Sequence, residues 1–241
     1  MTAAWVIRPA RVNRGRRTRV MLWPGQDTGS DTAMDWNRLR YTFWAPWYDT
    51  LVAAVDFRAA RRESIRRLHL APGQRVLLAG AGTGLDLEYL PSGVGITAID
   101  VTGAMLTRLR HRAAGLGLTV HTHIMDAGRL GFADAQFDAV VMHLVLAVMP
   151  HPARGLRETA RVLAPGGRVA VFDKFLASGT RPSLRRRAAN LVIKPLFSDL
   201  TLQLEPLLPP AGLSIVEDTP AGFGGMYRVV TLAGTGGPPE G

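Results

Sequence analysis

The sequence predicts an α/β protein: a doubly wound, seven-stranded, mostly parallel sheet whose last two strands form an antiparallel hairpin. Three observations lead there. From Arg75 onward, short apolar runs alternate with amphipathic segments of helix length. The first run ends directly in a glycine cluster, Gly80-Ala81-Gly82-Thr83-Gly84. The chain closes on two strand-like segments separated only by a Gly/Pro-rich turn, which suits antiparallel pairing.

Each element follows from its local pattern. "RVLLAG" (75–80) is apolar on consecutive positions, as a strand buried on both faces must be. A loop and a short helix follow through Leu90, and "GITAID" (95–100) is the second strand. "TGAMLTRLRHRAAGLG" (102–117) opens on a threonine suited to an N-cap and closes on glycine, so it is a helix. "TVHTHIMD" (119–126) alternates as a third strand, and "FDAVVMHLVL" (137–146) is a fourth. "PARGLRETARVLAPGG" (152–167) is a helix stopped by Pro and Gly, followed by a fifth strand, "RVAVFDKF" (168–175). "SLRRRAANLVIKPLF" (183–197) is a helix that Pro195 ends or kinks. "AGLSIVED" (211–218) and "YRVVTLAG" (227–234) are the closing pair.

The pattern divides the chain into a basic extension, residues 1–33, and a domain, residues 34–241. Within the domain, 34–70 reads as a helical lid and 71–234 as the core. The extension carries six arginines between Arg8 and Arg19 and no sustained period, so it is expected to be disordered. Met34 is an alternative start, because the domain pattern begins just after it. The lid contains "YTFWAPWYD" (41–49), five of whose nine residues are aromatic in a chain that is 7% aromatic. Pro46 splits that stretch, so two helical pieces would let the rings converge.

Composition narrows the chemistry. The 241 residues contain no cysteine, which excludes disulfides, zinc–thiolate sites and cysteine nucleophiles. No uninterrupted apolar run reaches the ~18 residues of a membrane-spanning helix, and no signal-peptide pattern precedes the domain, which predicts a cytoplasmic protein. The net charge of +10 favours an acidic partner, either nucleic acid or an anionic membrane surface. His121 and His123 share one strand face, but no further ligand accompanies them, so no metal site is expected.

The glycine loop points to a nucleoside. Ligands of open α/β sheets sit beyond the carboxyl ends of the strands, where strand order reverses. Glycines there let backbone approach a ligand closely. Asp100 ends the second strand about 20 residues further on, where an acid accepts hydrogen bonds from ribose. The dinucleotide fingerprint fails, because its last position holds Leu85 and the third glycine comes early, at Gly84. No phosphate-binding G-x-x-x-x-G-K-[ST] loop is present. The loop suits a nucleoside with an amino-acid tail.

"VLLAGAGTG", "AID", "MDAGRL", "FDAVV" and "RVLAPGGRVAVFD", in this order, resemble class I S-adenosylmethionine-dependent methyltransferases, which have Rossmann-like folds. The resemblance covers about residues 35–234. Within that superfamily, "FWAPWYD" and "PGGRVAVFDKF" are similar to ubiquinone/menaquinone C-methyltransferases and bacterial phospholipid N-methyltransferases. The resemblance implies S-adenosylmethionine as cofactor. Gly80, Ala81, Gly82 and Gly84 would line its methionine part, Asp100 would hold the ribose and Val101 would pack on the adenine. Asp126, with Ala127, would face the adenine amino group, and His143 and Leu144 would face cofactor and substrate. One position departs from the family pattern: Leu78 stands where an acid usually lies two residues before the first glycine. Asp86 is the candidate to replace its hydrogen bonds.

A sulfonium methyl is already activated, so orientation of the nucleophile matters most and no catalytic dyad is required. If a base is used, His143 is the candidate, by its strand-end position. Asp173-Lys174 ends the fifth strand on the same side, and Lys174 is a candidate substrate contact. Tyr41, Trp44 and Tyr48, with Trp47, could wall an apolar acceptor pocket. The basic amphipathic segment 181–197 fits an anionic membrane interface. The expected activity is methyl transfer to an apolar small molecule or lipid, quinone-like or a phospholipid headgroup. The alternatives are an RNA methyltransferase, although no nucleic-acid-binding module is visible, and a non-catalytic S-adenosylmethionine-binding regulator. The sequence leaves the oligomeric state open.

Overall fold

A computed structural model describes residues 57–176, 199, 201–222 and 225–236. The basic extension 1–33, the aromatic stretch 41–49 and the helix expected over 181–197 lie outside the described residues. The elements in chain order are α1 (Arg58–Arg66), β1 (Arg75–Ala79), β2 (Gly95–Asp100), α2 (Gly103–Gly115), β3 (Val120–Ile124), β4 (Phe137–His143), α3 (Pro152–Val162), β5 (Leu163–Lys174), β6 (Leu213–Pro220) and β7 (Tyr227–Gly234). A 3-10 turn, Leu87–Tyr89, takes the place of the short helix expected after β1.

The seven strands form one sheet in the order β3-β2-β1-β4-β5-β7-β6. The first five pair in parallel, and β7 runs antiparallel to both β5 and β6. The expected seven-stranded, mostly parallel sheet with a closing antiparallel hairpin is therefore present. The chain reverses its direction of travel across the sheet between β1 and β4, which stand side by side.

The apolar run of β1 divides between two cores. Leu77 and Ala79 join Val140, Met142, Leu156 and Val162 on one face. Val76 and Leu78 join Ile65, Leu106 and Leu109 on the other, under α1 and α2. Burial on both faces is why β1 does not alternate in polarity. Leu78 is thus an interior residue packed among aliphatic side chains, 1% exposed.

A boundary differs from expectation. The helix expected over 152–167 ends at Val162, and β5 begins at once at Leu163. Leu163 pairs with Phe137, and the next pair is Arg168 with Ala139, so "APGG" bulges out of the strand. Gly167 permits the bulge: a methyl there would lie 2.8 Å from the carbonyl oxygens of Ala164 and Asp138. α1 falls within the residues expected to form the lid. It packs on the sheet next to β5 and β7 and buries Ile65 and Ser64 in the helix layer.

Candidate active site

The glycine loop lies where β1 ends, at the reversal of strand order. Gly80, Gly82 and Gly84 all have positive φ, at 70°, 53° and 81°. A methyl group on Gly80 would fall 2.4 Å from Val145 Cγ2, so glycine lets the chain after β4 close on the loop. A methyl on Gly82 would meet nothing within 4 Å, so this residue faces open space. Backbone is therefore exposed to a ligand at Gly82 and buried by protein at Gly80, while Ala81 is itself buried.

The loop is held from two sides. Ala81 N–H donates to the Ile99 carbonyl at 2.8 Å, and Arg112 Nε donates to the Thr83 carbonyl at 3.1 Å. Asp100 Oδ2 accepts from Gly82 N–H at 3.0 Å, and its Oδ1 accepts from Thr102 N–H at 2.9 Å. Each carboxylate oxygen has a second lone pair to offer, so Asp100 shapes the loop and can still accept from ribose hydroxyls. Burial raises its carboxyl above the ordinary aspartate range, against the lowering effect of those backbone bonds.

Asp126 follows β3. Its Oδ1 accepts from Gly128 N–H at 2.8 Å, which fixes the turn there, and Ala127 is buried beside it. Val101 is half-buried between β2 and α2. The fold therefore brings the glycine loop, Asp100, Val101 and the Asp126 turn to the carboxyl ends of adjacent strands. His121 and His123 are exposed on β3. His123 lies edge-on to Phe132, and among the described residues no cluster of three or more His, Asp or Glu could hold a metal ion.

His143, the residue expected as a candidate base, lies in the interior. Its side chain is 0% exposed. Nδ1 lies 2.7 Å from Asp86 Oδ1, and Nε2 lies 2.9 Å from Ser64 Oγ. Asp86 Oδ1 also accepts from Arg61 Nη1 at 2.7 Å. Both ring nitrogens are engaged, so neither is open to a substrate proton. Burial alone would raise the Asp86 carboxyl; the charges and hydrogen bonds of His143 and Arg61 outweigh it and hold the group well below the carboxylate range. An ionised carboxylate only accepts, so His143 Nδ1 carries a proton. Leu144, the next residue, adopts a left-handed φ of 56°, and its N–H donates to the Phe172 carbonyl at 2.7 Å.

At the end of β5, Asp173 is fully buried. Its Oδ2 accepts from Ala147 N–H at 3.0 Å and its Oδ1 from Lys174 N–H at 2.8 Å. Burial raises this carboxyl. Asp173 thus holds the segment after β4 in place. Lys174 Nζ stands 3.9 Å from Asp173 Oδ1 and 5.8 Å from the centre of the Tyr227 ring. Beside it Phe57, Phe172 and Tyr227 form an aromatic cluster, with Phe57 packed edge-on to Phe172 at 5.1 Å and against Tyr227 at 4.7 Å.

Tyr41, Trp44, Trp47 and Tyr48 lie outside the described residues. Sequence reasoning missed Arg61, Ser64, Phe57 and Tyr227. One signal existed for the first two: Arg61, Ser64, Ile65 and Leu68 share one helical face. An arginine and a serine there read as solvent-facing, yet both are buried.

Fold and crevice together define an open α/β protein with a glycine loop at its topological switch point, where such sheets bind ligands. Comparison with known proteins makes that class narrower. A family model described as a methyltransferase domain matches residues 77–171. A phosphatidylethanolamine N-methyltransferase of Cereibacter sphaeroides is 32% identical over 189 residues, covering 78% of this chain and 92% of that protein. The ubiquinone/menaquinone biosynthesis C-methyltransferase UbiE of Geotalea daltonii is 32% identical over 138 residues, covering 54% of this chain and 59% of its own length. Among solved structures, a Burkholderia thailandensis 1,6-didemethyltoxoflavin-N1-methyltransferase with bound 1,6-didemethyltoxoflavin and S-adenosylhomocysteine superposes with a TM-score of 0.63 at 22% identity, covering 88% of this chain and 94% of that one. The chain belongs to the S-adenosylmethionine-dependent methyltransferase family.

Proposed function

We propose that this enzyme transfers the methyl group of S-adenosylmethionine to the amine of a phospholipid headgroup. The observation that carries the acceptor class is the extent of likeness. The phospholipid N-methyltransferase is matched over nearly its whole length, the quinone C-methyltransferase over little more than half.

The described residues fit the cofactor. Gly82 leaves open space where a side chain would stand, and Asp100 retains acceptor capacity. Gly80, Ala81, Gly82 and Gly84 would border the amino-acid part, Asp100 the ribose, and Val101, Asp126 and Ala127 the adenine. When bound, S-adenosylmethionine supplies a methyl on a sulfonium, ready for direct displacement. What remains for the chain is to orient the acceptor and exclude water, and alignment of this kind removes ~7–11 kcal/mol of a bimolecular barrier. His143 and Asp173 are occupied by protein partners, which supports orientation over proton abstraction as the protein's contribution: the headgroup ammonium would lose a proton to solvent before the free amine is enclosed, and the N–CH3 bond would form as the S–CH3 bond breaks, releasing S-adenosylhomocysteine. Lys174, with Phe57 and Tyr227, lies at the strand end next to the crevice and would face the acceptor. A positive charge there suits a headgroup phosphate, and the rings suit the adjoining apolar part. Tyr41, Trp44 and Tyr48 are proposed to complete that wall within a 34–70 lid.

Access to a lipid needs contact with a membrane. Among the described residues no helix is long and apolar enough to cross one. A net charge of +10 supports peripheral attachment of a cytoplasmic protein to anionic lipid. The test is transfer of labelled methyl to three acceptors: phosphatidylethanolamine in anionic vesicles, a demethylated quinone, and RNA. Labelled phospholipid is expected. Label in the quinone alone would favour the second reading, and label in RNA alone would overturn both.

A further inference from the structure

The one buried ionic cluster seen among the described residues joins α1, the glycine loop and the end of β4. Arg61, Asp86 and His143 meet on a single carboxylate oxygen, and Ser64 closes the far side of the imidazole. Ser64, His143 and Asp86 stand in the order of a charge-relay triad. Chemistry excludes that role: Ser64 is 0% exposed in the body of α1, so no acyl group reaches its oxygen. The groups instead join distant stretches of chain, Ser64 and His143 being 79 positions apart and Asp86 and His143 57 positions apart.

Asp86 lies two residues beyond Gly84, the last glycine of the loop. Gly84 N–H donates to the Ala81 carbonyl, Leu87 N–H to the Gly84 carbonyl, and Tyr89 N–H to the Asp86 carbonyl, so loop and 3-10 turn form one continuous bend. Asp100 fixes the near side of that bend through Gly82, and Asp86 fixes the far side through Arg61 and His143. Leu78, two residues before Gly80, packs in the aliphatic core and contributes no such bond. We infer that Asp86 is a positioning residue that, through Arg61 and His143, clamps the far side of the glycine loop and so sets the affinity for S-adenosylmethionine. Asp86 does not touch the cofactor under this inference; it acts by holding the backbone of Gly82 to Gly84 in place. The link to affinity rests on the proposed cofactor site, whereas the clamp itself does not.

The experiment uses the full chain with Asp86→Asn, Ser64→Ala and the double variant Arg61→Met/Asp86→Asn, which removes both charges together. Amide hydrogen exchange over residues 80–90 reads the clamp, calorimetry with S-adenosylhomocysteine reads affinity, and thermal unfolding reads the fold. The double variant removes one positive and one negative charge together, so it is expected to melt closer to the wild-type temperature than Asp86→Asn alone. It should nonetheless exchange at least tenfold faster over 80–90 and bind at least tenfold more weakly. Ser64→Ala should shift both in the same direction by a smaller factor. If Asp86→Asn does not fold, the double variant decides. Wild-type exchange and affinity in a folded double variant would overturn the inference. Faster exchange with no S-adenosylhomocysteine binding even in the wild type would uphold the clamp and sink the cofactor assignment instead.

Discussion

The two halves of the sheet end in different chemistry. Beyond β1 and β2 the surface is backbone: three glycines with positive φ, amide groups, and the Asp100 carboxylate that organises them. Beyond β5 and β7 it is side chain: Lys174 next to the half-buried Tyr227 ring, which packs on the buried Phe57 and Phe172. Backbone is well suited to a ligand that never changes, because its amides cannot be displaced by rotamer changes. Side chains suit the half that, under the proposed function, must match one acceptor among many. The division predicts that damage in one half leaves the other half's ligand unaffected.

The largest expected effect comes from Phe172→Ala. This ring is fully buried and touches Phe57, His143 and Tyr227. Its removal should cost about 3–5 kcal/mol in chemical denaturation. Affinity for S-adenosylhomocysteine should stay within about twofold once the protein is folded; a tenfold loss would break the division between the halves.

Next comes Gly80→Ala, where the new methyl meets Val145 at 2.4 Å in a left-handed backbone. Crowding and φ together should cost about 2–4 kcal/mol of stability by the same denaturation measurement. Gly82→Ala makes the sharper contrast. It has open space for the methyl, so only the left-handed backbone is penalised, at about 1 kcal/mol. Cofactor affinity should nonetheless drop more than tenfold by calorimetry, because the methyl occupies space left for the ligand. Equal affinity would show that the ligand lies elsewhere.

The smallest effect is one of pH. The folded-state pKa of Asp100 is raised by burial, so the folded form holds that proton more tightly than the unfolded chain does. At this site stability is favoured by acid and declines as pH rises through the raised value. Ribose hydroxyls donate to the ionised form, so cofactor affinity has the opposite sign. It should weaken as pH falls, beginning above the ordinary aspartate range. Asp100→Asn should remove that dependence; a persistent one would place the titrating group elsewhere.

Legibility in the sequence followed the same division. Gly80 to Gly84 and Asp100 lie within one β-loop-β unit, so their spacing announces them. The doubly wound, mostly parallel sheet follows from alternation and the handedness of crossovers. The aromatic cluster draws on Phe57, Phe172 and Tyr227, which no local period connects. The Arg61–Asp86–His143–Ser64 cluster was illegible for that reason and for a second one. Charged and hydroxyl side chains are read as exposed unless their partners are known, and here the partners come from α1, the turn after the glycine loop and the end of β4. His143 was found as a strand-end residue, but its engagement on both nitrogens depends on α1. The early start of β5 was hidden by "APGG", which ends helices in most settings and here makes a bulge.

Calorimetric titration of S-adenosylhomocysteine into the full chain, beside Asp100→Asn, tests the central claim most directly. The account predicts saturable one-to-one binding in the micromolar range for the wild type and at least a tenfold loss in the variant. Absence of binding at high micromolar ligand, or equal binding by both proteins, would contradict the assignment of the glycine loop and Asp100 as the cofactor site.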